Sequence, residues 1–307
     1  NSSYASGLKI DAILDLIAES PTCITPPNGL VAWWPFDGNF QDVQGGHTGT
    51  PFGNPEFVPG QVGQALNFDY VDDRVRVPAS SNLNVGPGAG FTIEGWIKPN
   101  DLTLQHPIVE WNNDAGSIGA HFWTSQTGPD GTIRSLFANI IDVTGTGHGI
   151  VSGPNLLNTT SFQHVALTYN RTNGVAALYI NGSSVAETNL GTFTPQTSSH
   201  LYIGYRSSGT AAGNRFNGII DELSLYNRAL SATRLQAIFA AGSAGKCKPT
   251  PPPPVPPTIV TQPQSVTANA GESVTFSVVA TGTEPLTYQW RFHGANLPGA
   301  TNPTLTL

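Results

Sequence analysis

His164-Val165-Ala166-Leu167-Thr168-Tyr169-Asn170-Arg171-Thr172-Asn173-Gly174-Val175-Ala176-Ala177-Leu178-Tyr179-Ile180-Asn181-Gly182 reads as two strands and two turns. The runs His164–Tyr169 and Val175–Ile180 are rich in β-branched and aromatic residues, and an Asn-Gly dipeptide follows each. Asn-Gly accepts the positive φ angles of tight turns, so each dipeptide joins antiparallel neighbours. The same signature recurs upstream in Leu66-Asn67-Phe68, Arg74-Val75-Arg76-Val77 and Phe91-Thr92-Ile93-Glu94-Gly95-Trp96-Ile97, each bounded by Gly, Pro, Asn or Asp. Many short strands with turn signals between them predict an all-β chain. Its architecture is a two-sheet antiparallel jelly-roll sandwich rather than an alternating βαβ fold.

Outward from that core the pattern changes twice. Residues 8–19 carry Leu8, Ile10, Ile13, Leu14, Leu16 and Ile17 at helical spacing and end at Pro21, which predicts a short amphipathic helix. A second helix is expected after Ser231, which can cap it, with Leu235, Ile238 and Phe239 as its apolar stripe and Gly242 as its stop. Pro249-Thr250-Pro251-Pro252-Pro253-Pro254-Val255-Pro256-Pro257 is an extended polyproline spacer. Strand patterns resume beyond it, in Ser273–Val278 and in Leu286–Trp290 after a turn at 282–285. The chain therefore divides into an N-terminal segment (1–22), a β domain (23–247), a Pro-rich linker (248–257) and a second β segment (258–307).

Only 11% of the 307 residues are charged, and 38% are hydrophobic, with 14 Phe, 8 Tyr and 6 Trp. That aromatic content supplies a core, while the surface must be built from Ser, Thr, Asn and Gly, as suits a secreted β protein. A net charge of −7 with no basic run makes nucleic acid and acidic membrane surfaces poor partners. No apolar stretch approaches the length of a membrane span. The absence of Met, even at position 1, predicts a processed form, a trimmed chain or a fragment, with any signal peptide outside it.

The only cysteines, Cys23 and Cys247, bracket the β domain. They are either two unrelated buried thiols or a clasp. A bond closing so long a loop would stabilise by about 5 kcal/mol in the chain-entropy model and would imply an oxidising compartment.

The landmarks Gly29-Leu30-Val31-Ala32-Trp33-Trp34-Pro35-Phe36-Asp37-Gly38-Asn39, Gly60–Phe68, Val71-Asp72-Asp73, Phe91–Ile97 and Gly218–Ser231 occur in this order. Cys23–Cys247 thereby resembles the LamG-like jelly-roll family of the concanavalin A-like lectin/glucanase superfamily. The resemblance implies a carbohydrate-binding or adhesion module of a large secreted or cell-surface protein, often bacterial and often beside immunoglobulin-like repeats. Residues 258–307 resemble the first half of an immunoglobulin-like domain, with Trp290 at the strand-C position and Val278 where the first cysteine would stand. An immunoglobulin sandwich needs about 100 residues. The segment is therefore expected to be poorly packed, or to self-associate by borrowing strands.

Similar jelly rolls hold one calcium ion near the first strand. Asp37, Asn39 and Asp42, with Asp221 from the last strand, offer the oxygen ligands that calcium requires. Asp72-Asp73 reads as a hairpin turn with solvated carboxylates, with a second metal as the alternative. Catalysis by superfamily glycosidases needs paired carboxylates on one strand face. Glu94 and Glu110 stand alone, and Asp221 and Glu222 alternate, so no enzyme is expected. Sugar binding needs less, namely aromatic faces and polar groups in a groove. Trp111, Asn113, Asp114, His121, Trp123, Tyr205 and Arg206, on loop-like stretches, are the candidates. Trp33, Trp34 and Trp96 read as core, and His164 as a packed strand residue. The expected function is an extracellular binding module for a glycan or a surface protein. A structural subunit of a surface layer or fibre, or an accessory domain of a secreted hydrolase, are the alternatives.

Overall fold

The computed structural model describes residues 22–124, 135–249 and 253–307, and the helix expected over 8–19 lies outside the described residues. The chain forms two compact units, residues 1–249 and 250–307. The first unit is a sandwich of two large antiparallel sheets. The eight-stranded sheet runs β13 (Ser183–Asn189), β12 (Val175–Ile180), β11 (Gln163–Asn170), β6 (Gly90–Pro99), β15 (Asn217–Tyr226), β4 (Gln64–Asp69) and β3 (Glu56–Pro59). Strand β1 (Leu30–Trp34) is added on β15. The seven-stranded sheet runs β10 (Gly147–Val151), β9 (Leu136–Ile141), β8 (Ile118–Thr124), β7 (His106–Asn112), β14 (His200–Ile203), β5 (Arg74–Val77) and β2 (Thr50–Phe52).

The hairpin expected over 164–182 is β11 and β12, paired antiparallel with Asn170 opposite Val175. Asn181 and Gly182, with φ of 51° and 75°, form the two-residue turn into β13; positive φ at both positions is what that turn type demands. Side-chain alternation then sorts these strands. Val165, Leu167, Tyr169, Ala176, Leu178 and Ile180 enter the core between the sheets. Ala166, Ala177 and Tyr179 form a second cluster with Leu235 and Ile238 of α1 (Ala232–Ala241). Ser231 stands at the N-cap position, but its side chain makes no capping bond. Its carbonyl instead accepts the Arg234 and Leu235 N–H groups.

Cys23 and Cys247 are bonded, with Cα atoms 4.9 Å apart across 224 residues of sequence. The clasp sets Lys246 opposite Ile24 and carries its side chain inward. There the ammonium donates to Glu94 Oε1 at 3.0 Å, lies 3.5 Å from Glu222 Oε2, and sits 5.0 Å over the Trp33 ring. His164 Nε2 lies 2.9 Å from the other oxygen of Glu94. Glu94, alone in the sequence, is thus the shared centre of a buried charge cluster. The simple alternation assumed for Asp221 and Glu222 also fails. A register shift interrupts β15 between Asp221 and Ser224, and Glu222 adopts φ 56°.

The turn at Asp72-Asp73 is not a hairpin, because β4 and β5 belong to different sheets. It is a corner from one sheet to the other. Asp73 is 3% exposed and holds the corner by accepting the Asn54 and Asp69 N–H groups, and Asp69 accepts those of Val71 and Asp72.

The second unit has six short strands in three pairs: β16 (Thr258–Thr261) with β18 (Val279–Thr281), β17 (Thr275–Ser277) with β21 (Thr304–Thr306), and β19 (Arg291–Phe292) with β20 (Ala295–Asn296). The expected strand Leu286–Trp290 has no ladder, since no described strand runs beside it. Trp290 is half-buried and donates its indole N–H to Asn302 O, and no described residue of this unit is fully buried.

Candidate functional site

The seven-stranded sheet has one face on the core and one outer face. Val75, Val77, Leu201, Ile203, Val109, Trp111, Ala120, Phe122, Ala138 and Ile140 fill the core side. The alternate positions must face outward. Register lines up one residue from each strand across that outer face: Thr50, Arg76, Tyr202, Glu110, His121, Asn139 and Gly149. A single polar row thus crosses all seven strands.

At the middle of the row Glu110 is fully engaged. Its Oε2 accepts from Arg206 Nε at 2.7 Å and from Trp123 Nε1 at 3.2 Å, and its Oε1 accepts from Asn112 Nδ2 at 2.9 Å. Burial pushes the Glu110 carboxyl up, against the pull of the Arg206 charge. The Arg206 guanidinium lies 4.2 Å over the Trp123 ring and donates to Thr210 O, while Nη2 is buried without a partner among the described residues. His121 donates from Nδ1 to Gly119 O, and burial with the Arg206 charge holds its pKa down to about 3, so it is neutral at physiological pH. Ser208 ties the 205–213 loop to β7, bonding Asn112 Oδ1 at 2.6 Å.

Toward β5 and β2 the face opens. Tyr202 donates to Asp114 Oδ1 at 2.6 Å, and its phenol is pushed up to about 12 by burial and by that carboxylate. Arg76 Nε lies 3.7 Å from Asp114 Oδ2, and both side chains are about one-third exposed or more. Beside them, Arg74 sits 4.5 Å over the Phe52 ring and 4.9 Å from the centre of Tyr205, and Arg215 sits 5.2 Å from Tyr205. Phe52 is exposed, and Tyr205 half-buried.

The structure therefore sorts the seven binding candidates. Tyr205 and Asp114 are accessible parts of one surface. His121, Trp123 and Arg206 lie on the same face but are buried as its supporting layer. Asn113 is exposed in the β7–β8 turn, where its Oδ1 accepts the Ala115 and Ser117 N–H groups. Trp111 is a correction: it points inward, fully buried, with its ring edge-on to Phe91. Phe52, Arg74, Arg76, Tyr202 and Arg215 were not singled out from the sequence. The alternation Arg74-Val75-Arg76-Val77 was the available signal, since it places both arginines on one face.

The four calcium candidates do not converge. Asp42 is saturated: Oδ1 accepts the N–H groups of Trp33, Gln44 and Gly45, and Oδ2 that of His47 together with the His47 ring. Asn39 is exposed and closes a turn on Gln41. Asp37 and Asp221 do approach one feature, the 60–64 turn. Asp37 Oδ1 accepts the Gln64 N–H and Asp221 Oδ2 the Val62 N–H, while Lys248 bonds the other oxygen of Asp37. Glycine is needed there, because a Cβ at Gly60 would lie 2.6 Å from Asp221 Oδ2. Asp221 Oδ1 is buried with no partner among the described residues. Burial, then the charges of Glu222 and Asp37, push its carboxyl up to about 8 despite the Val62 bond. An orphaned buried carboxylate oxygen beside a second carboxylate fits a cation; the full set of four does not. Among the described residues the one group of three carboxylates within 4.8 Å of each other is Asp69, Asp72 and Asp73, of which Asp69 and Asp73 hold the corner described above.

Residues 69–236 match the family model of the concanavalin A-like lectin/glucanases superfamily, and residues 256–307 match an immunoglobulin domain. No curated protein matches the chain. Among solved structures, domain 4 of AbnA resembles it at 20% identity and TM-score 0.50, over 68% of this chain and 97% of that one. AbnA is an extracellular arabinanase from Geobacillus stearothermophilus, solved with arabinotriose. The binding domain of Paraclostridial Mosquitocidal Protein 1 aligns at 18% identity and TM-score 0.55, over 69% of this chain and 52% of that one. The receptor binding domain of a botulinum neurotoxin C/D mosaic aligns at 13% identity and TM-score 0.53, over 69% and 51%. The chain thus spans about half of each toxin domain, and at these identities the likeness is one of fold.

Proposed function

Because the chain belongs to the concanavalin A-like lectin/glucanases superfamily, we propose that its sandwich is a non-catalytic extracellular module that binds a glycan on the outer face of the seven-stranded sheet. The observation that carries this reading is the polar row across seven strands, flanked by Phe52 and Tyr205. Such a surface supplies hydrogen-bonding groups beside aromatic rings, which is what sugar recognition uses. Against catalysis stands the state of Glu110: both of its oxygens are engaged by protein donors, three bonds in all, so it is held as a structural acceptor rather than poised to move a proton. The disulfide favours a secreted or cell-surface location. No helix among the described residues is long and apolar enough to cross a membrane.

A structural calcium ion held by Asp37 and Asp221 belongs to the same proposal. It would fix the 60–64 turn to the first and last strands. The likeness to an arabinanase domain favours a second reading, an accessory domain of a secreted hydrolase, which differs in its surroundings and not in its site. The exposed strand edges of residues 258–307 favour a third, a self-associating subunit of a surface layer or fibre. A glycan array probed with the full chain, with and without calcium, tests the first reading. Binding that Tyr205→Ala and Arg76→Ala abolish is expected. Recognition of a protein with no glycan bound would refute it, and light scattering that shows stable oligomers would support the third.

A further inference from the structure

We infer that the outer face selects anionic glycans, those bearing carboxylate or sulfate groups, through Arg74 and Arg215 stacked on Tyr205. This inference rests on the binding-module reading above and names its ligand class. The chain carries a net charge of −7, yet four of its nine arginines, Arg74, Arg76, Arg206 and Arg215, come together on this one face. Two of them are already balanced. Arg206 is paired with Glu110, and Arg76 approaches Asp114. Arg74 and Arg215 are not: among the described residues, no carboxylate oxygen lies within 4.0 Å of either guanidinium.

Their bonds go to neutral groups. Arg74 Nη1 donates to the backbone carbonyl of Asp72, and Arg215 Nη1 to that of Gly213. Arg215 Nε is buried without a partner among the described residues. Both guanidinium groups lean on the Tyr205 ring, which puts the two charges no more than about 10 Å apart, one screening length at 0.1 M salt. They therefore repel each other, and a negative group between or beside them relieves that repulsion. The Phe52 and Tyr205 rings lie against the Arg74 guanidinium and the Tyr205 ring against that of Arg215, which restricts both side chains before a ligand arrives. The remaining N–H edges match the paired oxygens of a carboxylate or sulfate, and each such charge-assisted pair is strong.

The test uses the full chain against four soluble polysaccharides: polygalacturonate (carboxylate only), dextran sulfate (sulfate only), and the neutral arabinan and laminarin. Titration calorimetry is run at low and high NaCl, alongside Arg74→Gln/Arg215→Gln and Arg74→Lys/Arg215→Lys variants whose melting curves match the parent. Binding to one or both acidic polymers is expected, weakened by salt and lowered by about tenfold or more in the glutamine variant. The lysine variant should fall between. Equal binding of neutral polymers, unaffected by either variant, would overturn the inference and leave the binding module standing. Failure to bind any of the four would overturn it together with the glycan reading, and the two acidic polymers tell carboxylate from sulfate.

Discussion

Replacing Lys246 with methionine keeps a long unbranched side chain in place and removes its charge. Glu94 is then left fully buried, with His164 and the Tyr226 hydroxyl as its remaining partners. Burial alone would raise the Glu94 carboxyl; the Lys246 ammonium, with His164, instead holds it down to about 2 from 4.5. A difference of that size corresponds to roughly 3 kcal/mol of stabilisation. Breaking one side of a buried ion pair costs about 3–5 kcal/mol, so the two routes agree. For a domain of this size each kcal/mol moves the melting temperature by about 2–4 °C, which predicts a fall of roughly 10 °C. The pH profile should change too. A depressed carboxyl contributes stability above its unfolded value, about 4.5, that is lost as pH falls toward 2. Burial opposes the Lys246 charge, but Glu94 and Glu222 raise its pKa, so its contribution holds below 10.5 and is lost as pH rises beyond it. The parent should therefore be most stable between these limits, and the variant should lose the acid limb. Melting curves followed by tryptophan fluorescence, with the disulfide checked intact by thiol titration, measure both effects. A double variant, Lys246→Met/Glu94→Gln, should recover part of the loss, because the Glu94 charge is removed together with its partner while Glu222 still loses its ammonium neighbour. A single variant within about 1 kcal/mol of the parent, or a double variant that is merely additive, would refute the argument.

Calcium should raise the melting temperature, and more at pH 8 than at pH 5. The raised Asp221 carboxyl is ionised in the unfolded chain well below 8, so the metal-free fold loses stability as pH rises toward that value; Asp221→Asn should remove both the calcium response and the pH slope. Trp111→Ala should destabilise by about 3–5 kcal/mol, as for other buried aromatics, measured by urea unfolding, and should leave residual glycan affinity in the folded fraction unchanged. Reduction of the Cys23–Cys247 bond should lower stability by up to about 5 kcal/mol, read from denaturation with and without reductant.

Local signals made the sandwich legible. The Asn-Gly turns and the alternation in Val165–Tyr169 and Val175–Ile180 report on neighbouring residues, and the hairpin formed as expected. Signals that depend on which strand lies alongside were not legible. The corner at Asp72-Asp73 looks like a hairpin turn until β4 and β5 are seen to join different sheets. Trp111 and Trp123 look alike in sequence, but strand parity sends the first to the core and the second to the outer face. The register shifts between β7 and β8 hide that parity. Lys246 and Glu94 lie 152 residues apart, and nothing local couples them. The calcium candidates failed for a related reason. Asp42 spends its oxygens on its own loop and on the Trp33 N–H of β1, which residue type cannot reveal.

The cystine also sets the path of mechanical force. A pull applied to the backbone on either side of the sandwich passes from Cys23 to Cys247 through the sulfur atoms, whose Cα atoms stand 4.9 Å apart. While the bond is oxidised, the strands between those two positions carry no tension. The domain can then be stretched in series with its neighbours while its sheets and its outer face keep their shape.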